Sequence, residues 1–533
     1  MIVAPQPRAV DVGAQVLARG GNAVDAAVTA AWAQCVLDPQ NCGIGGFGSA
    51  LIYWAATDTT EVVSFHARAG QRATADMWQS LLLEEYRDGY GYYIRDWLND
   101  VGYQSIATPG TPLGLHTLHQ RWGTLPWADT LAPAIQFARE GFVLSARAAG
   151  RWTRPQLPLR PHQMMRATHT PGVRAIFTRD QVHPWGEGQR LVQSDYAATL
   201  ERVAQHGPPE FYHGATAYAM SDDMARNGGL FTAADLAGYR IRTPEPVVGT
   251  YRGYTIVSDP PPSGGMTLIQ LLNLMEGYDV GAMQVNSPDY IDLVARAMQW
   301  AYRDWALFLG DPEYAEIPVA RLTDKAYAAA GRAALDRGER FTVPRWRADE
   351  QGTTHVSVVD NAGNAVAMTH SLGASSGVVT TGLGFQYNNC MNCFDPIPGH
   401  VNSIAPGKAR ISGLAPTLVF KDGALVYNLG APGGTRITTG VFQTLLNLLD
   451  FGMSPVEAVS LPRFDSQSHV IDVEARFSDA VCDELRRRGH AVERTVAAYW
   501  SAPQVHVIER NPTNGKLRGG ADPRADGMAL EVS

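Results

Sequence analysis

The sequence predicts an α+β fold, sheets covered by helices and not a regular βαβ repeat, because strands and helices come in separate runs. Three observations carry this. An Ala-rich helical stretch, Ala23 to about Leu37, leads through a glycine turn into the strand-like runs Ser49–Trp54 and Glu61–Phe65. The span from about Asp76 to Arg340 reads as mainly helical. Past Thr353 the apolar period drops to two, with Val356 and Val358 alternating with polar neighbours.

Each element has its signal. Gly20-Gly21-Asn22 ends a first helical pattern and opens the Ala-rich helix, whose small side chains permit close packing. The helical span is broken at Thr108-Pro109-Gly110, at Gly141 and at Asp259–Gly265; Ile269, Leu272 and Met275 mark a helix after that last turn. Beyond Thr353, Asn361-Ala362-Gly363-Asn364 and Lys421-Asp422-Gly423 are hairpin turns between apolar runs. Ser454-Pro455-Val456-Glu457 is a capping box with proline at the first helical position. A helix from Ser478 to Arg488 closes at Gly489.

Composition narrows the function. A 533-residue chain with 45% hydrophobic and 18% charged residues is globular and core-rich. A net charge of −8 without a basic run argues against nucleic acid. No apolar run approaches the ~20 residues that span a bilayer. Met1–Pro5 lacks a cationic segment followed by an apolar one, so the expectation is a cytoplasmic protein, although a chain shortened at its start would look the same. Five cysteines are too few, and odd in number, for a disulfide framework.

The most reactive candidate is Thr353, in Gln351-Gly352-Thr353-Thr354-His355, where the polar, Arg-rich stretch Arg332–Asp349 gives way to strand. Self-cleavage between Gly352 and Thr353 would give Thr353 an α-amine beside its own hydroxyl. An α-amine titrates near pH 7.7–8, so one residue would supply nucleophile and general base. The same residues also suit a threonine that simply opens a β-strand.

Three motifs mislead. Gly43, Gly45 and Gly48 satisfy G-x-G-x-x-G, but a helix precedes them and a strand follows, the reverse of a dinucleotide site. Gly373-Ala374-Ser375-Ser376-Gly377 satisfies G-x-S-x-G, yet Val378–Thr381 reads as strand where a nucleophile elbow needs a helix. Cys390-Met391-Asn392-Cys393 has no second ligand pair, and the fourteen histidines show no metal spacing, so neither metal nor cofactor is expected.

Taken together, Arg19–Ala27, Gly43–Gly46, Thr108–Thr111, Tyr251–Tyr254, Pro260–Gly265, Thr353–Asp360, Pro432–Arg436 and Ala521–Arg524 resemble, in order and spacing, the γ-glutamyltranspeptidase family of N-terminal-nucleophile hydrolases. The resemblance implies a four-layer αββα fold. It also implies self-cleavage into residues 1–352 and 353–533, a heterodimer of which two copies could assemble. It makes Thr353 the nucleophile, Gly433 and Gly434 the oxyanion hole, and Ser371 the hydroxyl that supports Thr353.

The family's substrate-holding groups are altered. His66 stands where the family has an arginine for the glutamyl α-carboxylate, with Arg68 two residues on as a substitute. Cys390 and Cys393 replace the glutamine and the amine-binding aspartate around Asn392; Gly373 replaces an asparagine; Ser412-Gly413 replaces paired serines. Each lost charged hydrogen bond is worth roughly 1.5–3 kcal/mol, about one to two powers of ten in affinity. The connection Phe394–Lys408 is also short for a lid, which favours water over a second amine. The expected activity is therefore hydrolysis of a small-molecule amide whose acyl part lacks the γ-glutamyl α-amine, as in the cephalosporin-acylase-like branch. A genuine γ-glutamyl hydrolase or transpeptidase and a non-catalytic protein keeping the fold are the alternatives.

Overall fold

The computed structural model describes residues 1–88, 91–154, 156, 158–346, 352–496 and 503–532. Two six-stranded sheets stack at its centre. The first runs Met528–Leu530, Ile2–Ala4, Thr354–Val359, Ala365–Ser371, Phe47–Trp54 and Thr59–Phe65, each neighbour antiparallel. The second runs Leu517–Gly520, His506–Arg510, Ala424–Gly430, Thr417–Lys421, Tyr254–Ser258 and Val247–Tyr251, also antiparallel. Strands from both sides of Thr353 pair in each sheet, so the two segments share one fold.

The period-two pattern sorts side chains between layers. Val356, Val358, Val366 and Met368 pack with the helix Ala23–Leu37. Their alternating neighbours Val359, Ala365 and Ala367 turn toward the second sheet and meet Leu418, Phe420 and Ile508. Helices Gly265–Met275, Pro288–Phe308 and Arg436–Leu449 cover the second sheet's other face. The result is the four-layer αββα arrangement. Between the sheets, the His355 ring occupies the space a Cβ at Gly430 would need. The Thr369 and Ser357 hydroxyls hold it at 2.8 and 2.9 Å, and burial drives its pKa well below the ordinary histidine range.

Helix Ala23–Leu37 begins at a capping box in which Asn22 and Asp25 exchange hydrogen bonds. All fifteen of its residues are buried, which its small side chains permit. The helices Pro455–Ser460 and Asp479–Arg487 begin and end as their caps require, with Gly489 at φ 85°.

Two expectations need correction. The span 76–340 is not simply helical: Val247–Tyr251 and Tyr254–Ser258 form a hairpin at the edge of the second sheet, turning at Arg252 (φ 51°) and Gly253 (φ 75°). These five-residue strands mix glycine, threonine, tyrosine and serine with their valines and isoleucine, which hides their alternation. Val378–Thr381 is irregular, not strand; its groups bond singly, Val379 N–H to Thr170 Oγ1 and Val378 C=O to Tyr387 N–H. Among the described residues no helix is long and apolar enough to cross a membrane.

Candidate active site

Thr353 opens the central strand Thr354–Val359 and is buried, 7% exposed. Its neighbour Thr354 is fixed from the helix layer: Gln34 Nε2 donates to Thr354 Oγ1 at 3.0 Å and to His355 O at 3.1 Å. Thr353 Oγ1 lies 3.0 Å from Ser371 Oγ, which also accepts the Gly373 N–H at 2.8 Å. Register explains the pairing, since Thr354 lies opposite His370 on the adjacent strand. The backbone at the junction is unusual: φ is 111° at Gly352 and 128° at Thr353. A β-branched residue there is an outlier, costing on the order of 1–3 kcal/mol. Gln351 and the end of the Arg-rich stretch lie outside the described residues.

Facing Thr353 is the turn Pro432–Arg436, with Gly433 at φ 140° and Gly434 at φ 54°. Among the described residues neither glycine N–H has an acceptor. The turn leads into helix Arg436–Leu449, whose N-terminal end favours negative charge. Buried groups brace it. Arg436 pairs with Asp472 at 2.9 Å and Asp465 at 3.4 Å, and Thr435 Oγ1 donates to Gln467 at 2.7 Å. Behind Pro432, whose carbonyl accepts the Gln504 N–H at 3.1 Å, lies the Ala521–Arg524 motif. Asp522 accepts from Arg463 at 2.6 Å, Arg524 at 3.0 Å and the Val505 N–H at 2.8 Å. Burial raises its pKa, but the guanidiniums of Arg463 and Arg524 outweigh that and hold it at about 2.

Two cavities meet at Thr353. The smaller, about 20 Å³, runs from Ser371 and Gly434 to Phe47, Arg410, Ser412 and Cys393. The larger, about 260 Å³, lies on the Gly433 side and is walled by Asp38, Asn41, Arg147 and Gln504 among others.

The structure brings most of the expected residues together. Gly373, Asn392, Cys393, Ser412 and Gly413 line the small cavity with Thr353, Ser371 and Gly434. A Cβ at Gly373 would meet Asn389 Oδ1, and one at Gly413 would meet the Gly434 carbonyl, so glycine is required at both. His66 stands behind Ser412. Its Nε2 lies 3.1 Å from Ser412 Oγ and 3.0 Å from Ser263 Oγ, and its Nδ1 2.9 Å from Ser64 Oγ. Burial first, then the charges of Arg410, Arg242 and Arg68, lower its pKa to about 3, so it is neutral.

Two residues sit elsewhere. Arg68 does not reach the cavity: the strand ends at Phe65, and the guanidinium lies 5.4 Å from the Tyr239 ring and donates to Arg240 O at 3.0 Å. Cys390 lies behind the wall, its sulfur 3.6 Å from Arg410 Nη1. All five cysteines are free thiols and buried. The sequence reading missed Arg410, three residues short of Gly413, and Asp100, which holds Asn389 Nδ2 at 2.7 Å and Arg166 at 2.7 Å. No sequence motif marks Asp100. Among the described residues no group of three or more His, Cys, Asp or Glu could hold a metal ion.

This geometry belongs with what the chain resembles. A family model described as γ-glutamyltranspeptidase matches residues 9–532. The chain belongs to the γ-glutamyltranspeptidase family. Among its γ-glutamyltranspeptidase relatives is the acylase ACY 1 proenzyme of Pseudomonas sp. (strain V22), 39% identical over all of this chain and 93% of that protein. The glutathione hydrolase proenzyme of Escherichia coli (strain K12) is 33% identical over 98% of this chain and 90% of that protein. The crystal structure of cephalosporin acylase from Bacillus halodurans superposes with a TM-score of 0.86 at 27% identity, covering 99% of this chain and 94% of that one. The relatives named here are hydrolases, and this γ-glutamyltranspeptidase-family chain is a hydrolase.

Proposed function

We propose that this chain is a self-processing amidohydrolase in which Thr353, freed at Gly352–Thr353, is the nucleophile and its α-amine the general base. The observation that carries this is the 3.0 Å contact between Thr353 Oγ1 and Ser371 Oγ, opposite two glycine N–H groups without an acceptor among the described residues. The products are residues 1–352 and 353–533, held together because they share both sheets.

Thr353 Oγ attacks the amide carbon as its proton passes to the α-amine. The N–H groups of Gly433 and Gly434 receive the oxyanion; losing one such donor costs on the order of 3 kcal/mol. The tetrahedral intermediate collapses, the C–N bond breaks, and the α-ammonium protonates the leaving amine. Water, deprotonated by the same amine, then attacks the ester and releases the acid. The small cavity takes the acyl group and the larger one the amine. The short Phe394–Lys408 connection supports hydrolysis over transfer.

The acyl group proposed is one without a γ-glutamyl α-amine. Cys393 and Asn392 form the wall where the family has its amine-binding aspartate, and no carboxylate lines the small cavity among the described residues. One observation favours the second reading, γ-glutamyl hydrolysis: Asn392 Oδ1 is buried without a donor among the described residues and would accept an ammonium N–H. A panel of γ-glutamyl, glutaryl and simple acyl anilides separates the two. Strong preference for the γ-glutamyl compound would overturn the acylase reading.

A further inference from the structure

We propose that Asp259 is a positioning residue for the acyl cavity: through Ser263 and His66 it sets whether the hydroxyl proton of Ser412 is free to meet the substrate. This rests on the reading of Thr353 as nucleophile and of the small cavity as the acyl site.

Backbone contacts place Asp259 and Ser412 at the two ends of one polar chain. The turn Asp259–Gly265 is bonded to the segment Ser412–Leu414: the Ser412 N–H donates to the Pro262 carbonyl at 2.9 Å and the Gly264 N–H to the Leu414 carbonyl at 2.8 Å. A Cβ at Gly264 would meet Thr438 Oγ1 and the Gly413 carbonyl, so the two segments are in direct contact. This seats Ser263 behind the cavity wall. Its Oγ lies 3.0 Å from His66 Nε2 and 3.3 Å from the Oγ of Ser412, which lines the cavity with Thr353. On its other side Ser263 reaches the Asp259 carboxyl. Asp259 Oδ1 accepts from Ser49 Oγ at 2.9 Å, whereas Oδ2 is buried without a hydrogen-bond partner among the described residues. An ionised carboxylate there has an acceptor position to fill, and the Ser263 proton is the one at hand.

The two charge states of Asp259 run the chain in opposite directions. When ionised, Asp259 draws the Ser263 proton. Ser263 Oγ then accepts from His66 Nε2–H, and Nδ1, 2.9 Å from Ser64 Oγ, accepts the Ser64 proton. With a donor facing it at 3.1 Å, Ser412 keeps its own proton for the substrate. When protonated, Asp259 donates to Ser263, Ser263 donates to Nε2, and the imidazole proton sits on Nδ1, facing Ser64. Nε2 is then an acceptor that competes for the Ser412 proton. One proton leaves the protein between the two states, from Asp259. His66 is neutral in both and changes only the nitrogen that carries its proton.

The other groups along the chain do not titrate with it. The strand Phe47–Trp54 presents Ser49, a hydroxyl. The cations nearest His66 are Arg410, Arg242 and Arg68, and guanidiniums keep their charge in proteins. Burial, with those cations, lowers His66 to about 3, and burial raises Asp259 to about 7. Near neutral pH, Asp259 is therefore the member of the chain that changes charge.

The processed enzyme is assayed from about pH 6 to about pH 8 with γ-glutamyl and glutaryl p-nitroanilides, whose acyl groups carry hydrogen-bond acceptors. Butyryl p-nitroanilide, whose acyl chain carries none, is the reference. The Thr353 α-amine titrates in the same range, and it cancels in the ratio of kcat/KM values. For each acceptor-bearing anilide that is cleaved, the ratio should rise about 3–10-fold across the range, the worth of one hydrogen bond. Asp259→Asn should hold the ratio at its low-pH value, Ser263→Ala should make it independent of pH, and Ser263→Thr should restore the rise. A wild-type ratio that does not change, or a rise that survives in Asp259→Asn, overturns the proposal. Nitrogen-15 NMR of histidine-labelled protein, with His66 assigned by its loss in His66→Gln, needs no turnover. The wild type should carry the His66 proton on Nδ1 at the acid end and on Nε2 at the alkaline end, and Asp259→Asn should keep it on Nδ1 throughout. A wild-type tautomer that ignores pH overturns the proposal. If no anilide is cleaved, the nucleophile reading fails on its own, and the His66 signal still decides the role of Asp259.

Discussion

Ser371 Oγ stands 3.0 Å from Thr353 Oγ1 and 2.8 Å from the Gly373 N–H that donates to it. With that N–H filling one acceptor position, Ser371 still has its own proton to donate to the threonine oxygen. Under the proposed mechanism, Ser371 would orient the Thr353 hydroxyl and steady the charge that grows on it. Ser371→Ala should lower kcat by about 10–100-fold, the equivalent of one charge-assisted hydrogen bond, with a much smaller change in KM. Ser371→Thr, which keeps the hydroxyl, should lose far less. Steady-state kinetics on the processed enzyme check this; a wild-type kcat in Ser371→Ala would contradict it.

The loop carrying Gly373 is held by a buried charge. Asp100 accepts from Arg166 at 2.7 Å and from Asn389 Nδ2 at 2.7 Å, and Asn389 Oδ1 accepts the Ala374 N–H at 2.8 Å. A Cβ at Gly352 would run into the Gly373 carbonyl, so this loop packs directly on the proposed cleavage site. Asp100→Asn leaves the Arg166 charge buried without its counter-charge and should destabilise the protein by about 3–5 kcal/mol. It should also slow processing. Thermal unfolding and a time course of chain cleavage measure both, and wild-type values for both would remove Asp100 from the site's framework.

What the sequence made legible was whatever local chemistry or periodicity encodes. The alternation of Val356 and Val358, the Ser454–Glu457 capping box and the turn at Lys421–Gly423 are short-range signals, and all match the structure. Gly373, Ser412 and Gly413 could be placed because they sit in motifs of fixed spacing. Arg68 was misplaced because alternation was carried past Phe65, where the strand has already ended. Arg410 and Asp100 act across long sequence separations, the latter 289 residues from Asn389, and nothing local marks such partners. The hairpin Val247–Ser258 was missed for a related reason: its strand Tyr254–Ser258 is defined by pairing with Thr417–Lys421, not by its own apolar pattern.

Asp259 gives a pH-dependent test of the fold around the cavity. Burial pushes its carboxyl up to about 7, against hydrogen bonds from Ser263 and Ser49 that lower it. Below about pH 4 the group is protonated in both folded and unfolded chains. Between there and 7 the unfolded chain releases the proton first, so rising pH favours unfolding, and above 7 the loss is constant. At about 1.4 kcal/mol per pKa unit, the loss approaches about 4 kcal/mol. Asp259→Asn should therefore gain stability relative to wild type as pH rises from about 4 to about 8, read as the difference in unfolding midpoints. A difference that does not change with pH would contradict the raised carboxyl.

The central claim is that Thr353 becomes the N-terminus of a second chain and carries the acyl group. Intact-mass spectrometry of the purified protein, alone and quenched during turnover of a slow anilide, tests it directly. The expected result is two chains of 352 and 181 residues, with the acyl mass on the peptide that begins at Thr353, and one unmodified 533-residue chain for Thr353→Ala. A wild-type protein that stays one chain, or an acyl group on any other residue, would contradict the account.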